Sequence, residues 1–421
     1  MNPRSPLQVY LSPRMAILTG LGFAAGLPAL LIKDTLAAWL ASSNVDVKTI
    51  GIFALVTLPY SLKFLWSPFM DAIVPPILGR RRGWLIITQL ALMAGIIAMA
   101  MIGPKQPMAL AVAALIVAFL SASQDIVSDA YRTDVLRTHE MGAGAAVFTM
   151  GYRLAMIASG AGVLMLVGYM GWVSAYVLMA IGMGLGVIFT LAAREPERQA
   201  GSPTTIVQAV IKPMQAFIAH RPWWMTAALF VFVLIFRLPD ALAAQMTMPF
   251  LLEELSFTVK QVGAIRQFAG IGLSILGVLA GGLILAKMNL KVGLLLFGLL
   301  QAVSNAGFLM MAWYGGGLPT LTIVIVVESF CGGLVVAGFV GFLMSQCDPR
   351  YSAAQYAVLS SVMVLAGTLA SALTGYMVAS EGYARFFLMT IVAGIPGLLM
   401  IPFLPPPVKR EAEAETVSTA S

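Results

Sequence analysis

The feature that most limits what this chain can become is its succession of continuous apolar runs, each broken by a short charged turn. A membrane-crossing helix needs about 20 apolar residues. Lipid offers no hydrogen bonds to an open backbone, so such runs must be helical. A barrel is excluded, because barrel strands alternate polar and apolar residues and these runs do not. Composition agrees: 60% of the 421 residues are hydrophobic and 10% are charged, against roughly 25% charged in a soluble domain. A soluble globule could not cover its surface with so few charges, and a disordered chain would not be so apolar.

The runs divide into twelve expected spans, at 15–41, 48–72, 84–103, 108–137, 141–168, 172–193, 222–251, 261–286, 291–313, 318–345, 352–379 and 384–404. Of the 25 Lys and Arg residues, five lie well inside spans, away from their ends: Lys33, Lys63, Arg153, Arg237 and Arg266. With the N-terminus in the cytoplasm, only Lys48, Lys105, Lys260 and Arg385 face outward. The remaining basic residues then lie inside, as the positive-inside rule requires, and both termini are cytoplasmic. The net charge of +7 reflects this orientation rather than nucleic-acid binding. The apolar run after Met1–Arg14 is too long for a cleavable signal.

The longest polar break, 194–221, reads as a cytoplasmic linker between six-helix halves at 1–193 and 222–404, with a disordered cytoplasmic tail at 405–421. The halves repeat. Val47-Lys48-Thr49-Ile50-Gly51 matches Val259-Lys260-Gln261-Val262-Gly263 at an offset of 212, and Leu27-Pro28 matches Leu238-Pro239 at 211. The expected fold is all-α, twelve transmembrane helices in two six-helix pseudo-repeats. That is the major facilitator architecture, with its substrate site between the halves. Proline inside a helix frees a carbonyl and permits a kink, which is expected at Pro28, Pro59 and Pro239.

Charge inside a span is costly and marks function. Five acids lie well inside: Asp34, Asp125, Asp129, Asp240 and Glu328, on the first, fourth, fourth, seventh and tenth spans. The fourth span reads Ser121-Ala-Ser-Gln124-Asp125-Ile-Val-Ser128-Asp129-Ala-Tyr131-Arg132. Ser121, Asp125, Ser128, Asp129 and Arg132 recur at spacings of three and four and share a face. Two carboxylates one turn apart in low dielectric cannot both stay charged cheaply. A site that takes a proton from one side and releases it on the other is what proton coupling needs, so Asp125 and Asp129 are the proton candidates. The alternative for Asp129 is a structural ion pair with Arg132.

Lys33, Arg153, Arg237 and Arg266 suit an anionic substrate, though Lys33–Asp34 and Arg237–Asp240 also read as structural pairs. Tyr60, Trp66, Tyr131 and Tyr152 are the candidate aromatic faces for stacking on a ligand. Asp71, followed by Gly79-Arg80-Arg81-Arg82-Gly83, is a degenerate facilitator gate motif in which the acid meets a basic partner and a helix N-terminus. Cys331 and Cys347 show no metal spacing, and His139 and His220 fall in breaks, so no metal site is expected. No Gly-rich phosphate loop with its lysine is present, and neither His could activate a nucleophile inside a span. The chain does not read as an enzyme.

Several stretches resemble the AmpG-type muropeptide permeases of the facilitator class. These are Gly22-Phe-Ala-Ala-Gly-Leu-Pro28, Lys63-Phe-Leu-Trp-Ser-Pro68, Gly79-Arg-Arg-Arg-Gly-Trp84, Ser121-Ala-Ser-Gln-Asp-Ile-Val127, Gly142-Ala-Gly-Ala-Ala146 and Gly151-Tyr-Arg153. The resemblance is dense in the first half and thin in the second. It implies a monomeric importer in the bacterial inner membrane, working by alternating access with protons as the coupling ion and no other cofactor. Its substrates would be N-acetylglucosaminyl-anhydro-N-acetylmuramyl peptides, imported for cell-wall recycling and, where a β-lactamase is inducible, as the inducing signal. It implies roles in substrate or proton handling for Gln124, Asp125 and Asp129, and extends to Arg153. The substrate site is expected to draw on Lys33, Asp34, Gln124, Arg153, Arg237, Asp240, Arg266 and Glu328. The alternatives are a carrier of the same fold for an acyl-coenzyme A, a drug or a siderophore, and a muropeptide sensor that does not translocate.

Overall fold

The computed structural model describes residues 10–43, 45, 53–197, 205–219, 222–371 and 373–408. Lys48, the repeat segment Val47–Gly51, His220, Arg221 and residues 409–421 lie outside the described residues. Within them the chain runs through twelve helical segments: α1 (13–42), α2 (53–72), α3 (Arg80–Ile102), α4 (Pro107–Val135), α5 (141–170), α6 (172–192), α7 (223–254), α8 (259–285), α9 (Leu290–Tyr314), α10 (Leu318–Ser345), α11 (352–371 and 374–381) and α12 (383–400). Among the described residues eight helical runs are long and apolar enough to cross a membrane, and one of them, Thr138–Ala192, is 55 residues long.

The repeat read from sequence recurs in the backbone. Gly171 separates α5 from α6 at φ 75°, ψ 168°, and Gly382 separates α11 from α12 at φ 76°, ψ 167°. Their offset is the 211 of Leu27-Pro28 and Leu238-Pro239. Gly103 and Gly315, offset by 212, end α3 and α9 at positive φ. Only glycine adopts such angles without strain, so these four positions fix where the chain turns back.

Several helices are interrupted. α1 contains Pro28 and breaks at Ile32–Lys33, where the Tyr176 hydroxyl donates to the Leu31 carbonyl at 2.9 Å. Pro59 and Pro239 do not bend continuous helices as expected. They sit in the first turns of Leu58–Leu62 and Leu238–Pro249, where a proline removes no needed N–H. Single π-helical turns interrupt α5 at Ala158–Gly162, end α7 at Phe250–Glu254 and interrupt α8 at Ile265–Gly270. The polar break between α6 and α7 contains a 14-residue helix, Ile206–Ala219. Val207, Val210, Ile211 and Met214 recur at helical spacing, a pattern masked in sequence by Pro213 and the flanking charges.

The chain divides into two compact units, residues 1–136, 147–214 and 347–361 in the first and 137–146, 215–346 and 362–421 in the second. The first unit buries a core around Leu31, Trp39, Leu92, Met99, Val117 and Tyr176. Trp39 stacks on Trp172 with centroids 5.6 Å apart. The second buries an aromatic core of Phe250, Phe308, Phe386 and Phe387. Cys331 and Cys347 are free and buried, and Trp223 and Trp224 are exposed at the start of α7.

In the first unit α1 and α5 touch backbone to backbone. A Cβ on Gly22 would lie 2.1 Å from the Phe148 carbonyl oxygen, and one on Gly151 would lie 2.0 Å from that of Thr19. Lipid supplies no hydrophobic drive for helix association, so this close approach is a main source of cohesion. Gly151→Ala is therefore expected to destabilise the detergent-purified protein by about 1–3 kcal/mol. Gly168→Ala, whose added Cβ meets nothing within 4 Å, is expected to be neutral. Thermal melts of the two variants check this.

Candidate functional site

α4 carries the main charge cluster of the first unit. It starts with Pro107 in its first turn and runs unbroken for 29 residues, so its polar side chains keep their register. Asp129 is held from two sides, by Arg132 at 2.7 Å and by Lys63 of α2 at 3.4 Å. Arg132 also donates to the Tyr356 hydroxyl and lies over the rings of Phe148, at 4.6 Å, and Tyr356, at 5.1 Å. Asp125, one turn earlier, makes no hydrogen bond or ion pair among the described residues. Its electrostatic surroundings are Lys63, Asp129, Arg132, Tyr60 and Tyr152. One acid of the pair is thus neutralised in place, and the other is left uncommitted.

Gln124 is fully buried and neither of its amide atoms has a hydrogen-bond partner among the described residues. Buried polar groups are nearly always paired, so two orphans on one side chain beside the charge cluster are exceptional. Tyr60 donates to Ser121 at 2.8 Å, and Trp66 donates to Ser123 at 3.0 Å. Tyr131 has different surroundings, among Arg14, Arg82 and Glu195, away from its expected aromatic companions. Arg153 is half-buried on α5. Lys33 and Asp34 form a 4.0 Å pair at the break in α1, with both side chains more than 60% exposed.

A second network surrounds Arg81, which is completely buried. It donates to Asp71 at 2.8 Å, to Asp134 at 2.8 Å and to Ser352 at 2.7 Å. Arg80 adds longer contacts to the same acids, 3.8 Å to Asp71 and 3.6 Å to Asp134. The second oxygen of Asp71 accepts from the Ala354 backbone N–H at 2.9 Å, in the first turn of α11. There the partial positive charge of a helix start meets a carboxylate. Arg82 turns elsewhere and donates to the Thr190 and Leu191 carbonyls at the end of α6. Glu195 returns the contact, accepting from the backbone N–H groups of Arg81 and Arg82 at the start of α3.

The second unit holds a cavity of about 690 Å³, lined by Arg237, Asp240, Gln245, Gln301, Glu328 and Gly332 among others. Arg237 stands at the break inside α7 and pairs with Asp240 at 2.9 Å. Asp240 also accepts from Asn305 at 3.3 Å, and Asn305 accepts from Gln301 at 3.3 Å. A small adjoining pocket shares Asp240, Ala244 and Glu328 and is lined also by Arg266 and Asn305. Arg266 lies in the π-helical turn of α8, a common location for functional side chains. Among the described residues no group of three or more His, Cys, Asp or Glu side chains could hold a metal.

The model of the Major Facilitator Superfamily matches residues 15–358. The chain belongs to that superfamily. It is 40% identical over 397 residues to the Escherichia coli K12 anhydromuropeptide permease, covering 94% of this chain and 80% of the relative. In fold it is similar to the proton:xylose symporter XylE, with TM-score 0.72, 12% identity, and 95% and 97% of the two chains covered. It is similar also to the facilitator FucP in its outward conformation, with TM-score 0.70, 13% identity, and 94% and 99% covered. The twelve-helix, two-repeat architecture is thereby that of a multi-pass membrane transporter of the AmpG type, a class of permeases rather than enzymes.

The search for charge in the sequence missed Gln301 and Asn305, one turn apart on α9, because amides carry none. It also missed Tyr356 and the Ala354 N–H, which reach their partners only through the fold. The two networks differ in what their loss should cost. Arg81→Gln strands two buried carboxylates and is expected to destabilise by about 3–5 kcal/mol. Arg82→Gln removes only carbonyl caps and is expected to cost about 1 kcal/mol. Chemical or thermal unfolding of the two purified variants distinguishes them.

Proposed function

We propose that this protein imports anhydro-muropeptides from the periplasm across the bacterial inner membrane, driven by the proton gradient. The carrying observation is the pairing on α4: Asp129 is neutralised by Arg132 and Lys63, whereas Asp125 one turn away has no bonded partner among the described residues. That leaves Asp125 as the group able to exchange a proton, with Asp129 and Lys63 setting its electrostatic surroundings. The 40% identity to a permease of that name supports the substrate class. Peptidoglycan recycling and induction of β-lactamase follow where the imported fragment is a signal.

In this reading both termini are cytoplasmic, the halves are 1–193 and 222–404 joined by 194–221, and the transporter works as a monomer by alternating access. Asp71, Arg80 and Arg81 form the inner gate, and Arg82, expected with them, instead caps the end of α6. Asp71 there holds the start of α11 through the Ala354 N–H, so that contact must break for the inner side to open. Lys33, Asp34, Gln124, Arg153, Arg237, Asp240, Arg266 and Glu328 contact the substrate or organise its site. Gln124 supports this because an amide with no partner for either end is suited to sugar hydroxyls and acetamido groups.

The experiment is uptake of labelled anhydro-muropeptide into proteoliposomes with and without an imposed inward proton gradient. Wild-type protein is expected to accumulate the ligand above equilibrium only with the gradient. Asp125→Asn is expected to abolish that accumulation while retaining exchange of ligand between the two sides. Uptake indifferent to the gradient in the wild type would remove the coupling, and accumulation by Asp125→Asn equal to wild type would remove the role of this carboxylate.

A further inference from the structure

The second unit's cavity holds acids and bases whose commitments differ. Arg237 and Asp240 neutralise each other at 2.9 Å, and Asn305 supports Asp240 at 3.3 Å. Glu328 lines both the cavity and its adjoining pocket, yet makes no ion pair among the described residues. Its hydrogen bond is to the neighbouring Ser329, at 3.4 Å. Arg266 lines the adjoining pocket and likewise makes no ion pair among the described residues. Gln301 is 5% exposed, lines the cavity, and leaves its Oε1 without a donor. That oxygen lies 3.7 Å from where a Cβ on Gly332 would stand. Gly332 is four residues beyond Glu328 on α10, so both occupy one face of the helix.

The Gln301 amide oxygen, without a donor among the described residues, and the Glu328 carboxylate, bonded only to Ser329 among them, therefore line one cavity, and Arg266, without an ion pair among the described residues, lines the pocket that adjoins it. Such a set matches a ligand that brings both an ammonium and a carboxylate. A neutral sugar would leave the half-buried Glu328 without a counter-charge, which is unfavourable. We infer that this cavity is the subsite for the stem peptide of the substrate, with Glu328 and Gln301 receiving the free ammonium of its diamino acid and Arg266 a peptide carboxylate. Arg237 and Asp240 hold the wall by pairing with each other. The glycine at 332 keeps the space between Gln301 and Glu328 open. This inference rests on the muropeptide reading and assigns the peptide end of that ligand to the second unit.

The test compares proteoliposome uptake of two labelled ligands, N-acetylglucosaminyl-anhydro-N-acetylmuramic acid without peptide and the same disaccharide bearing a tripeptide with a free diamino-acid ammonium. Glu328→Gln is expected to lower the preference for the tripeptide ligand, measured as the ratio of kcat/KM values, by about tenfold or more, the worth of a charge-assisted hydrogen bond. Gly332→Val, which fills the space beside Gln301, is expected to shift the ratio in the same direction. Acetylating the ligand ammonium should lower wild-type uptake by a similar factor and Glu328→Gln uptake by much less. The inference is overturned if Glu328→Gln leaves the ratio as it was, or if acetylation weakens both proteins equally. Wild-type protein that accumulates neither ligand would overturn the import reading itself, whereas accumulation of both with an unmoved ratio defeats only the peptide subsite.

Discussion

Everything in this structure depends on what a charge must do inside a segment that crosses lipid. A lone ion in a medium of low dielectric constant is so costly that it must be paired, hydrated or held ready for a ligand. The protein sorts its charges accordingly. Arg81 with Asp71 and Asp134 is closed on itself and almost wholly buried. Asp129 with Arg132 and Lys63 is closed, and Arg237 with Asp240 is closed. Against that background Asp125 in the first unit and Glu328 in the second are carboxylates with no ion pair among the described residues, and Glu328 is bonded only to the hydroxyl of Ser329. Asp125 lies one turn from Asp129 on α4, and Glu328 lines the cavity that holds Arg237 and Asp240.

The bases follow a second regularity. Lys33 stands at the break in α1, Lys63 in a 3₁₀ turn of α2, Arg237 between two helical pieces of α7, and Arg266 in the π-helical turn of α8. Arg153, by contrast, lies in the regular helical stretch Met141–Ile157 of α5. The same breaks give the helix freedom to bend, so the positions that hold charge are also the positions where the backbone can change shape.

Much of this was legible in the residues. Apolar runs gave the helical crossings, because lipid permits no other reading of a continuous apolar segment. The repeat showed itself through Leu-Pro pairs, and its deeper cause is geometric: Gly171 and Gly382 carry the same left-handed turn in each half. The face of α4 followed from spacing alone. Partnership was harder. Nothing near Tyr356 in sequence signals Arg132, and nothing near Ala354 signals Asp71, since both contacts join residues more than 200 positions apart. Gln301 and Asn305 are neutral, so a search for charge passes over them although they complete the wall around Asp240. Tyr131 was grouped with the wrong aromatics because two residues on one helix can face opposite ways within a single turn.

The position of Arg132 ties these observations together. One guanidinium serves Asp129 through an ion pair, Tyr356 through a hydrogen bond, and two aromatic rings through cation–π contacts. Its planar, permanently charged fork can satisfy all of them only in one orientation. Asp129 therefore does more than balance a charge: it fixes the direction in which Arg132 points, and so fixes the hold on the start of α11. The Arg81 network grips the same start through Ser352, and Asp71 does so through the Ala354 N–H. Arg132 thus joins one of the two α4 carboxylates to Tyr356 of α11 through a single shared side chain. One is close enough to Arg132 to orient it, and the other is close enough to feel both charges while its own oxygens stay free.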